Sequence, residues 1–143
     1  MKTKDNLEKN ISLKLISKKD FRFLYELLQE RELNVNIVQK KIPTYEKHMN
    51  FINSNPYSKW YIILYQQKKV GTIYLAKNND IGIFLKKDTQ ESGIGSIAIN
   101  KLIKKNPKTK YYAKINPKNR KSLKFFKKNN FKLIQHILEL KNE

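Results

Sequence analysis

Cysteine is absent from this 143-residue sequence, and glycine and proline occur only four times each. Without cysteine, the chain has no disulfide framework and no thiolate for a metal or catalytic site. The two histidines, His48 and His136, lie far apart in the chain, so we expect no metal site. Lys, Asn and Ile are abundant beside the scarce glycine and proline, a composition typical of an AT-rich genome.

Long apolar runs are also lacking. No run approaches the ~20 residues that a membrane-spanning helix needs. The first residues read as a polar, frayed end over 1–10, without the apolar region of a signal peptide. We therefore expect a cytoplasmic protein with no membrane partner. The length predicts one domain over residues 1–143, large enough to bury a core.

Acidic residues are scarce, because 12 Asp and Glu face 31 Lys and Arg, which gives a net charge of +19. No Asp or Glu occurs between Ser92 and Leu138. One explanation is base composition. The other is a polyanionic partner, such as nucleic acid, an anionic membrane surface or a phosphorylated ligand.

One stretch, from Asp80 to Ile103, organises the chain as strand, glycine loop and helix. Ile81, Ile83 and Leu85 alternate with other residues as in a strand that has one apolar face. The loop Gln90–Gly95 follows, and apolar residues then recur at helical spacing. Glycines at the start of a helix let backbone N–H groups close on a phosphate. The alternative is a helix cap in which the glycines only permit tight packing.

The remaining patterns predict a mixed α/β (α+β) sheet in the order β-α-α-β-β-β-α-β-α-β. A first strand at Ile11–Leu15 precedes a meander of three consecutive strands that short polar turns connect. A fifth strand, Lys110–Ile115, follows through a helix and should pair parallel to the central strand. The last strand is expected over 131–140. The three strands of the meander are 60–65, 70–76 and 80–85.

Helix starts are marked by capping residues. The segment Ser17–Asp20 resembles a capping box, Thr44 can cap a second helix, and Asn119 can cap the last. That last helix should end at Asn129–Asn130, with Asn in a left-handed conformation. Residues 31–43 are polar and irregular, so we expect a loop there, over a substrate.

The pattern Gln90-x-x-Gly93-x-Gly95, after an apolar strand, resembles the acetyl-CoA motif of the GCN5-related N-acetyltransferase (GNAT) superfamily. It lacks the Lys-Ser/Thr of a P-loop and the full glycine set of a dinucleotide fingerprint. A second stretch resembles the other motif of that family, and the order of elements matches the family's fold from end to end. The positions of this second motif are Asn119, Ser122, Phe126 and Asn130-Phe131.

The resemblance implies that acetyl-CoA is the cofactor and that the loop amides hold its pyrophosphate. It also implies that Asn119 contacts the pantetheine or orients Phe126. By position, Phe84 and Leu85 would supply the backbone contacts to pantetheine. Lys86, Lys87 and Lys121 would contact the outer phosphates. The loop residues implied are Gln90, Glu91, Ser92, Gly93, Ile94, Gly95 and Ser96.

Phe126 departs from the family pattern, which usually has Tyr there to protonate the departing thiolate. That proton must then come from water or from another group, such as Tyr74, Tyr111 or Tyr112. Direct transfer also needs a neutral amine, and therefore a base or a water chain. The candidate bases are Glu46, His48 and Asp80; His48 has an alternative role in packing, and Glu46 in complementing a helix dipole.

The acceptor is expected to be a small-molecule amine. The segment 43–52, followed by Trp60-Tyr-Ile-Ile, is similar to acetyltransferases that modify amino groups of nucleotide-linked sugars. A protein or peptide amine is the alternative acceptor, whereas a polyamine is disfavoured because acidic residues, which would attract it, are scarce in this chain. A non-catalytic acyl-CoA sensor or nucleic-acid-binding module also stays open, although nucleic acid is not the favoured partner. The chain is expected to be a monomer or a homodimer.

Overall fold

The computed structural model describes residues 4–34 and 42–142. The helices are α1 (Lys4–Asn10), α2 (Phe21–Asn34), α3 (Tyr45–Asn53), α4 (Ile94–Lys105) and α5 (Arg120–Lys128). The strands are β1 (Ile11–Leu15), β2 (Lys59–Tyr65), β3 (Lys68–Leu75) and β4 (Ile81–Leu85). Two short 3-10 turns, Lys18–Asp20 and Lys87–Thr89, precede α2 and the glycine loop.

The four strands form one antiparallel sheet in the order β1-β2-β3-β4. The β2–β3 turn consists of Gln66 and Gln67, both at positive φ (50° and 69°), which suits a tight two-residue hairpin. Asn79, at φ 69°, turns the chain from β3 into β4. The mixed α/β class and the antiparallel meander are therefore confirmed.

Helices cover both faces of the sheet. On one face, α4 and α5 pack on a core that includes Ile73, Leu102 and Phe126. On the other face, α2 and α3 pack through Phe21 and Ile52. The sheet thus separates two apolar layers, and the edge of β4 lies between them. None of the helices in residues 4–34 and 42–142 is long and apolar enough to cross a bilayer.

The predicted helix ends are confirmed. Ser17 donates its backbone N–H to Asp20 Oδ2 at 2.8 Å before α2. The side chains of Thr44 and Asn119 each accept a hydrogen bond from the backbone N–H three residues later, at 3.2 Å. Asn130 adopts φ 70° just after α5. These caps satisfy donors that the first turn of a helix leaves unpaired.

Two predicted boundaries are wrong. Residues 4–10 are not frayed, because Leu7 packs α1 against the core and Lys101 Nζ donates to the carbonyls of Glu8 and Ile11; residues 1–3 lie outside the described residues. The predicted loop over 31–43 begins too early, because α2 continues to Asn34. Residues 35–41 of that loop lie outside the described residues.

The fifth predicted strand, 110–115, is reduced to one parallel bridge between Asp80 and Tyr112. Tyr112 accepts a hydrogen bond from the Ile81 N–H at 2.7 Å and donates to the Asn79 carbonyl at 3.0 Å. The parallel direction is confirmed, but no ladder follows. At the other end of β4, Gln90 Nε2 donates to the Leu85 carbonyl, so the loop returns to that end of the strand.

The last predicted strand, 131–140, is also not formed within the described chain. Phe131 packs against the core, and the residues after it adopt neither helix nor strand and are exposed. Alternating apolar residues favour a strand, but a strand exists only when a neighbour pairs with it. No neighbouring strand is present for this segment among residues 4–34 and 42–142.

Candidate functional site

The outer edge of β4 carries backbone groups that β3 does not use. The Ile81 N–H donates to the Tyr112 carbonyl, on the side of β4 that faces away from β3. The Lys86 N–H donates to the Val70 carbonyl, on the β3 side. Because backbone direction alternates along a strand, Ile83 and Leu85 direct their N–H groups outward. Phe84 directs its backbone toward β3. Of the two residues predicted to contact pantetheine through the backbone, Leu85 therefore presents its N–H at the open edge and Phe84 does not; Ile83 presents its N–H there as well.

Side-chain hydrogen bonds shape the loop after β4. Thr89 Oγ1 donates to the Lys86 carbonyl at 2.8 Å, and Ser92 Oγ donates to the Thr89 carbonyl at 2.5 Å. Gln90 Nε2 bonds to β4 at 3.2 Å, and Glu91 adopts φ 60°. The loop is therefore held between β4 and α4, while Gln90, Glu91 and Ser92 remain exposed.

The two loop glycines have different roles. Gly93 is the N-cap of α4 at φ 88°, and no side chain of the described chain caps this helix start. The first-turn N–H groups, from Ile94 to Ser96, have no acceptor inside the helix and lie at its positive end. Gly95 serves packing, because a Cβ there would lie 2.9 Å from the Phe125 ring. Gly93 therefore leaves the N–H groups of this helix start uncapped, whereas Gly95 fits the packing explanation.

The second motif packs behind this loop. Asn119 uses its side-chain oxygen to cap α5. Phe126 is 6% exposed and lies in the core, with its ring centroid 5.2 Å from that of Phe125 and 5.0 Å from that of Phe131. Phe125, rather than Phe126, is the ring that contacts Gly95.

The lysines predicted for the outer phosphates are accessible. Lys86 is half-buried beside β4, whereas Lys87 and Lys121 are exposed. Lys87 donates its backbone N–H to Glu30 Oε1 of α2, which ties the loop to that helix. The ammonium groups of all three lysines can reach solvent.

A cavity of about 390 Å³ lies on the face of the sheet that α2 and α3 cover, between these two helices and the strands. Its wall is largely apolar and includes five aromatic side chains, and no carboxylate is among the described lining residues. Arg31, Lys47 and His48 supply the charged or titratable groups. The ring of Phe84 joins this wall, so the cavity adjoins the strand whose outer edge is open. The aromatic lining residues are Phe51, Tyr57, Trp60, Tyr74 and Phe84.

Contacts between side chains fix the aromatic wall. Tyr57 and Tyr74 stack with ring centroids 3.7 Å apart and an interplanar angle of 8°. Tyr74 lies across Gly82, where any Cβ would overlap its ring. Trp60 Nε1 donates to Thr72 Oγ1 at 2.8 Å. Glycine in β4 is therefore required for the close approach of Tyr74.

His48 is the titratable group inside this cavity. Its side chain is buried, and its Nδ1 has no hydrogen-bond partner among the described residues. The imidazole lies 5.6 Å from the Tyr25 ring and 6.4 Å from the Phe51 ring, between centroids. Burial lowers the pKa of His48 below 6.5, so the imidazole is neutral at pH 7.

Tyr57 is protonated in the same wall. Burial raises its pKa above the usual value of 10, and the neighbouring Tyr74 raises it further. No sequence motif marks Tyr57, which lies in the connection between α3 and β2. The predicted candidate Tyr74 stacks against it.

The other candidates lie outside the cavity. Glu46 is exposed in the first turn of α3. Asp80 Oδ2 pairs with Lys114 Nζ at 3.0 Å beside the parallel bridge. Tyr111 donates its hydroxyl to the Asn106 carbonyl at 2.7 Å, and Tyr112 is exposed. In the part of the chain that is described, no cluster of three or more His, Asp or Glu could hold a metal ion.

The sequence profile of the acetyltransferase (GNAT) family matches residues 21–131. A search among curated proteins found no significant match. Many solved structures share the fold. One is a domain from Methanocaldococcus jannaschii DSM 2661, at 24% identity and TM-score 0.74, covering 85% of this chain and 88% of that one.

Two further similar structures have enzyme names. The spermidine N-acetyltransferase of Vibrio cholerae, solved with CoA and spermine, is 16% identical at TM-score 0.76 and covers 92% of this chain and 86% of that one. RimL, a ribosomal L7/L12 α-N-protein acetyltransferase solved with coenzyme A, is 17% identical at TM-score 0.72. The match covers 90% of this chain and 84% of that one. At these identities the likeness shows the fold.

Proposed function

The chain belongs to the acetyltransferase (GNAT) family, an acyltransferase family that uses acetyl-CoA, and we propose that it acetylates a primary amine on an anionic small molecule. The observation that carries this proposal is the cavity between α2 and α3. Its described wall has two cationic side chains, Arg31 and Lys47, and no carboxylate. A neutral base, His48, lies within the same wall.

When bound, acetyl-CoA supplies the acetyl group as a thioester. The uncapped N–H groups at the start of α4 are the donors that we assign to its pyrophosphate, beside the exposed Gln90, Glu91 and Ser92. The outward N–H groups of Ile83 and Leu85 are the donors that we assign to its pantetheine amides. Both sets fit the cofactor, because they border the open edge of one strand.

His48 is the base that we assign to the amine. An amine must lose a proton to act as a nucleophile, and a neutral imidazole can accept that proton. The lowered pKa keeps His48 in its neutral form at pH 7, ready to accept it. Glu46 and Asp80 lie outside the cavity, which leaves His48 as the best placed of the three predicted bases.

We assign the role of the hydroxyl that Phe126 lacks to Tyr74. Burial and the neighbouring Tyr74 raise the pKa of Tyr57, which makes the Tyr57 hydroxyl a weak acid, so Tyr57 supports Tyr74 by stacking on it rather than by donating the proton. The two rings lie in one wall with Phe84, so a proton donor is available next to the open strand. Phe126, buried in the core, is not needed for this role.

The acceptor that we propose is an amino sugar linked to a nucleotide. Its pyrophosphate would meet Arg31 and Lys47, and flat aromatic rings provide surfaces for the sugar and the base. A polycationic amine such as spermidine would be repelled by the same two side chains. The spermidine enzyme of Vibrio cholerae shares the fold, and we assign a different class of acceptor to this chain.

Release of free CoA tests the proposal directly. Because the chain contains no cysteine, a thiol-reactive dye reports CoA without background from the protein. The acceptors to compare are a nucleotide-linked amino sugar, the free amino sugar, spermidine and a peptide with a free N-terminus. We expect the nucleotide-linked sugar to have the highest kcat/KM, by about tenfold or more, equivalent to about 1.4 kcal/mol of transition-state binding. Preference for spermidine or for the peptide would contradict the assigned acceptor, and no turnover with any amine would contradict catalysis.

A further inference from the structure

Two consecutive residues near the end of α2 contact the strand and the loop that we assign to acetyl-CoA. The Arg31 guanidinium lies over the Phe84 ring of β4. Glu30 Oε1 accepts a hydrogen bond from the backbone N–H of Lys87, at the start of the loop. Phe84 and Lys87 lie on either side of Leu85, whose N–H faces the open edge of β4. One end of α2 therefore holds the chain on both sides of a donor that we assign to the coenzyme.

The Glu30 carboxylate takes the place of a helix cap for the 3-10 turn Lys87–Thr89. The first N–H of such a turn has no acceptor within the turn. Lys86, at the N-cap position, cannot supply one, because its ammonium group only donates. A carboxylate that accepts from a backbone N–H makes a charge-assisted hydrogen bond, which is stronger than one between neutral groups. Glu30 is half-buried, so water competes less for this hydrogen bond than at an exposed position.

The same end of α2 also forms part of the cavity that we assign to the acceptor. The residues that α2 contributes to the described wall are Leu24, Leu27, Leu28 and Arg31. Glu30 precedes the last of these and contacts the loop instead. Because a helix is hydrogen-bonded within itself, adjacent positions on it move together. An anion bound to Arg31 would therefore hold the carboxylate of Glu30 in place as well.

We propose that Glu30 is a positioning residue that couples the two sites, so that the acceptor and the coenzyme each bind more tightly when the other is bound. An acceptor anion at Arg31 holds the end of α2, and the contact of Glu30 with Lys87 then holds the loop for the pyrophosphate. Linkage makes the effect reciprocal, because each ligand lowers the Kd of the other by the same factor. The inference rests on the proposed function, since it takes the cavity and the loop as the sites of the two substrates.

The charge of Glu30, taken alone, predicts the opposite effect on the coenzyme. Glu30 is an anion beside a site for an anionic coenzyme, so removal of its charge should by itself tighten the binding of CoA. Loss of its hydrogen bond to Lys87 should instead release the loop and weaken the binding of CoA. The direction of the change in Kd therefore distinguishes a positioning carboxylate from one that is only a nearby charge.

Calorimetric titration with CoA, in the absence of any amine, tests the contact without reference to the acceptor. We expect Glu30→Ala to raise the Kd of CoA about fivefold, whereas Glu30→Gln, which keeps an oxygen for the Lys87 N–H, should raise it less. Glu26→Ala is the matched control, because Glu26 is exposed one turn earlier on α2 and its loss gives the same change in net charge. This control should not raise the Kd. An unchanged or lower Kd for Glu30→Ala would overturn the proposal, whatever the acceptor.

The same titration with a saturating amine measures the coupling. The amine is the one with the highest kcat/KM in the assay of CoA release, and it does not react with CoA, which carries no acetyl group. In the parent chain we expect this amine to lower the Kd of CoA about fivefold or more. The factor should fall toward one in Glu30→Ala and persist in Glu26→Ala.

The results separate this proposal from the proposed function. A parent Kd that the amine leaves unchanged, or coupling of equal size in Glu30→Ala, would overturn the role of Glu30 even if the amine is acetylated. Preference for another class of amine would contradict the assigned acceptor and leave the coupling test intact. If no amine is acetylated, catalysis is contradicted, and the titration without amine still decides whether Glu30 positions the loop.

Discussion

The guanidinium carbon of Arg31 lies 4.1 Å from the centre of the Phe84 ring. This contact joins α2 to β4 at the wall of the cavity. It fixes a positive charge by a cation–π interaction, because the face of an aromatic ring is electron-rich. Phe84 thereby links the open edge of β4, which its neighbours Ile83 and Leu85 form, to the cavity that α2 and α3 border.

Replacing Arg31 by Ala should weaken binding of an anionic acceptor. We expect its KM to rise about tenfold, the effect of losing about 1.4 kcal/mol, while the Kd of acetyl-CoA stays unchanged. Steady-state kinetics and calorimetry measure the two quantities. Arg22→Ala is the matched control, because Arg22 also lies over a ring, that of Tyr45 at 4.6 Å, but does not line the cavity. Equal effects of the two substitutions would show that the charge of Arg31 does not bind the acceptor.

Replacing His48 by Gln should remove the base. We expect kcat to fall by about 10² to 10⁴, the range for general base catalysis, with acetyl-CoA affinity retained. Glu46→Gln, on the same helix but exposed, should change kcat by less than about twofold. A larger fall in kcat for Glu46→Gln than for His48→Gln would assign the base to Glu46.

The pH profile separates a catalytic His48 from a packing one. Only neutral His48 accepts a proton, and its pKa is lowered by burial. The kcat of the parent chain should therefore fall with decreasing pH only below 6.5. This fall on the acid side of the pH profile should be missing in His48→Gln. An acid limb that persists in the variant would assign the ionisation to another group, such as the amine.

Gly93→Trp should prevent acetyl-CoA binding, because its side chain would crowd the first-turn N–H groups of α4. Gly93 is exposed at φ 88°, so any side chain there adds strain of about 1–2 kcal/mol. Gly93→Asn is the matched control, because Asn tolerates the left-handed region and is small. Calorimetric titration should show binding to Gly93→Asn and none to Gly93→Trp. Gly95→Trp is not an equivalent test, since it would displace the Phe125 ring and destabilise the fold.

Asp20 stabilises the start of α2 through Lys69 Nζ at 2.7 Å and Lys14 Nζ at 3.0 Å. Burial alone raises the pKa of Asp20, but hydrogen bonds from Lys69, Lys14 and Ser17 outweigh it and lower the pKa to about 2. Asp20→Asn should reduce the free energy of unfolding by about 2 kcal/mol in urea denaturation at pH 7.

The pH dependence of that loss has a definite sign. The pKa of Asp20 is lower in the folded chain, so its stabilisation is fully present above pH 3.8 and decreases as the pH falls toward about 2. The difference in stability between the parent chain and Asp20→Asn should shrink over this range. A difference that is constant with pH would indicate a packing effect instead.

Local features of this chain were predictable because they depend on few neighbouring residues. The caps at Thr44 and Asn119 and the left-handed Asn130 each follow from one residue and its nearest turn. The loop that begins at Gln90 likewise lies between the expected strand and helix, and α4 begins at Ile94, next to Gly93 and Gly95.

The cavity between α2, α3 and the sheet could not be predicted in the same way, because it is built from separate elements. Tyr57 follows a turn, Tyr74 belongs to β3, and Gly82 of β4 makes room for their stack. The strands predicted at 110–115 and 131–140 failed for a related reason. A strand needs a partner, and alternation in one segment does not show whether that partner lies in the same chain.

Thermal unfolding with acetyl-CoA, beside a DNA duplex of equal phosphate concentration at ~150 mM salt, tests most directly whether the loop between β4 and α4 is a cofactor site. At one hundred times its Kd, acetyl-CoA should add about 2.7 kcal/mol of stability, a rise in Tm of several degrees. DNA should leave Tm unchanged at this salt concentration, because binding through phosphate charge alone is weakened by salt. A rise with DNA and none with acetyl-CoA would mean that the glycines only cap a helix and that the charge of +19 serves nucleic acid.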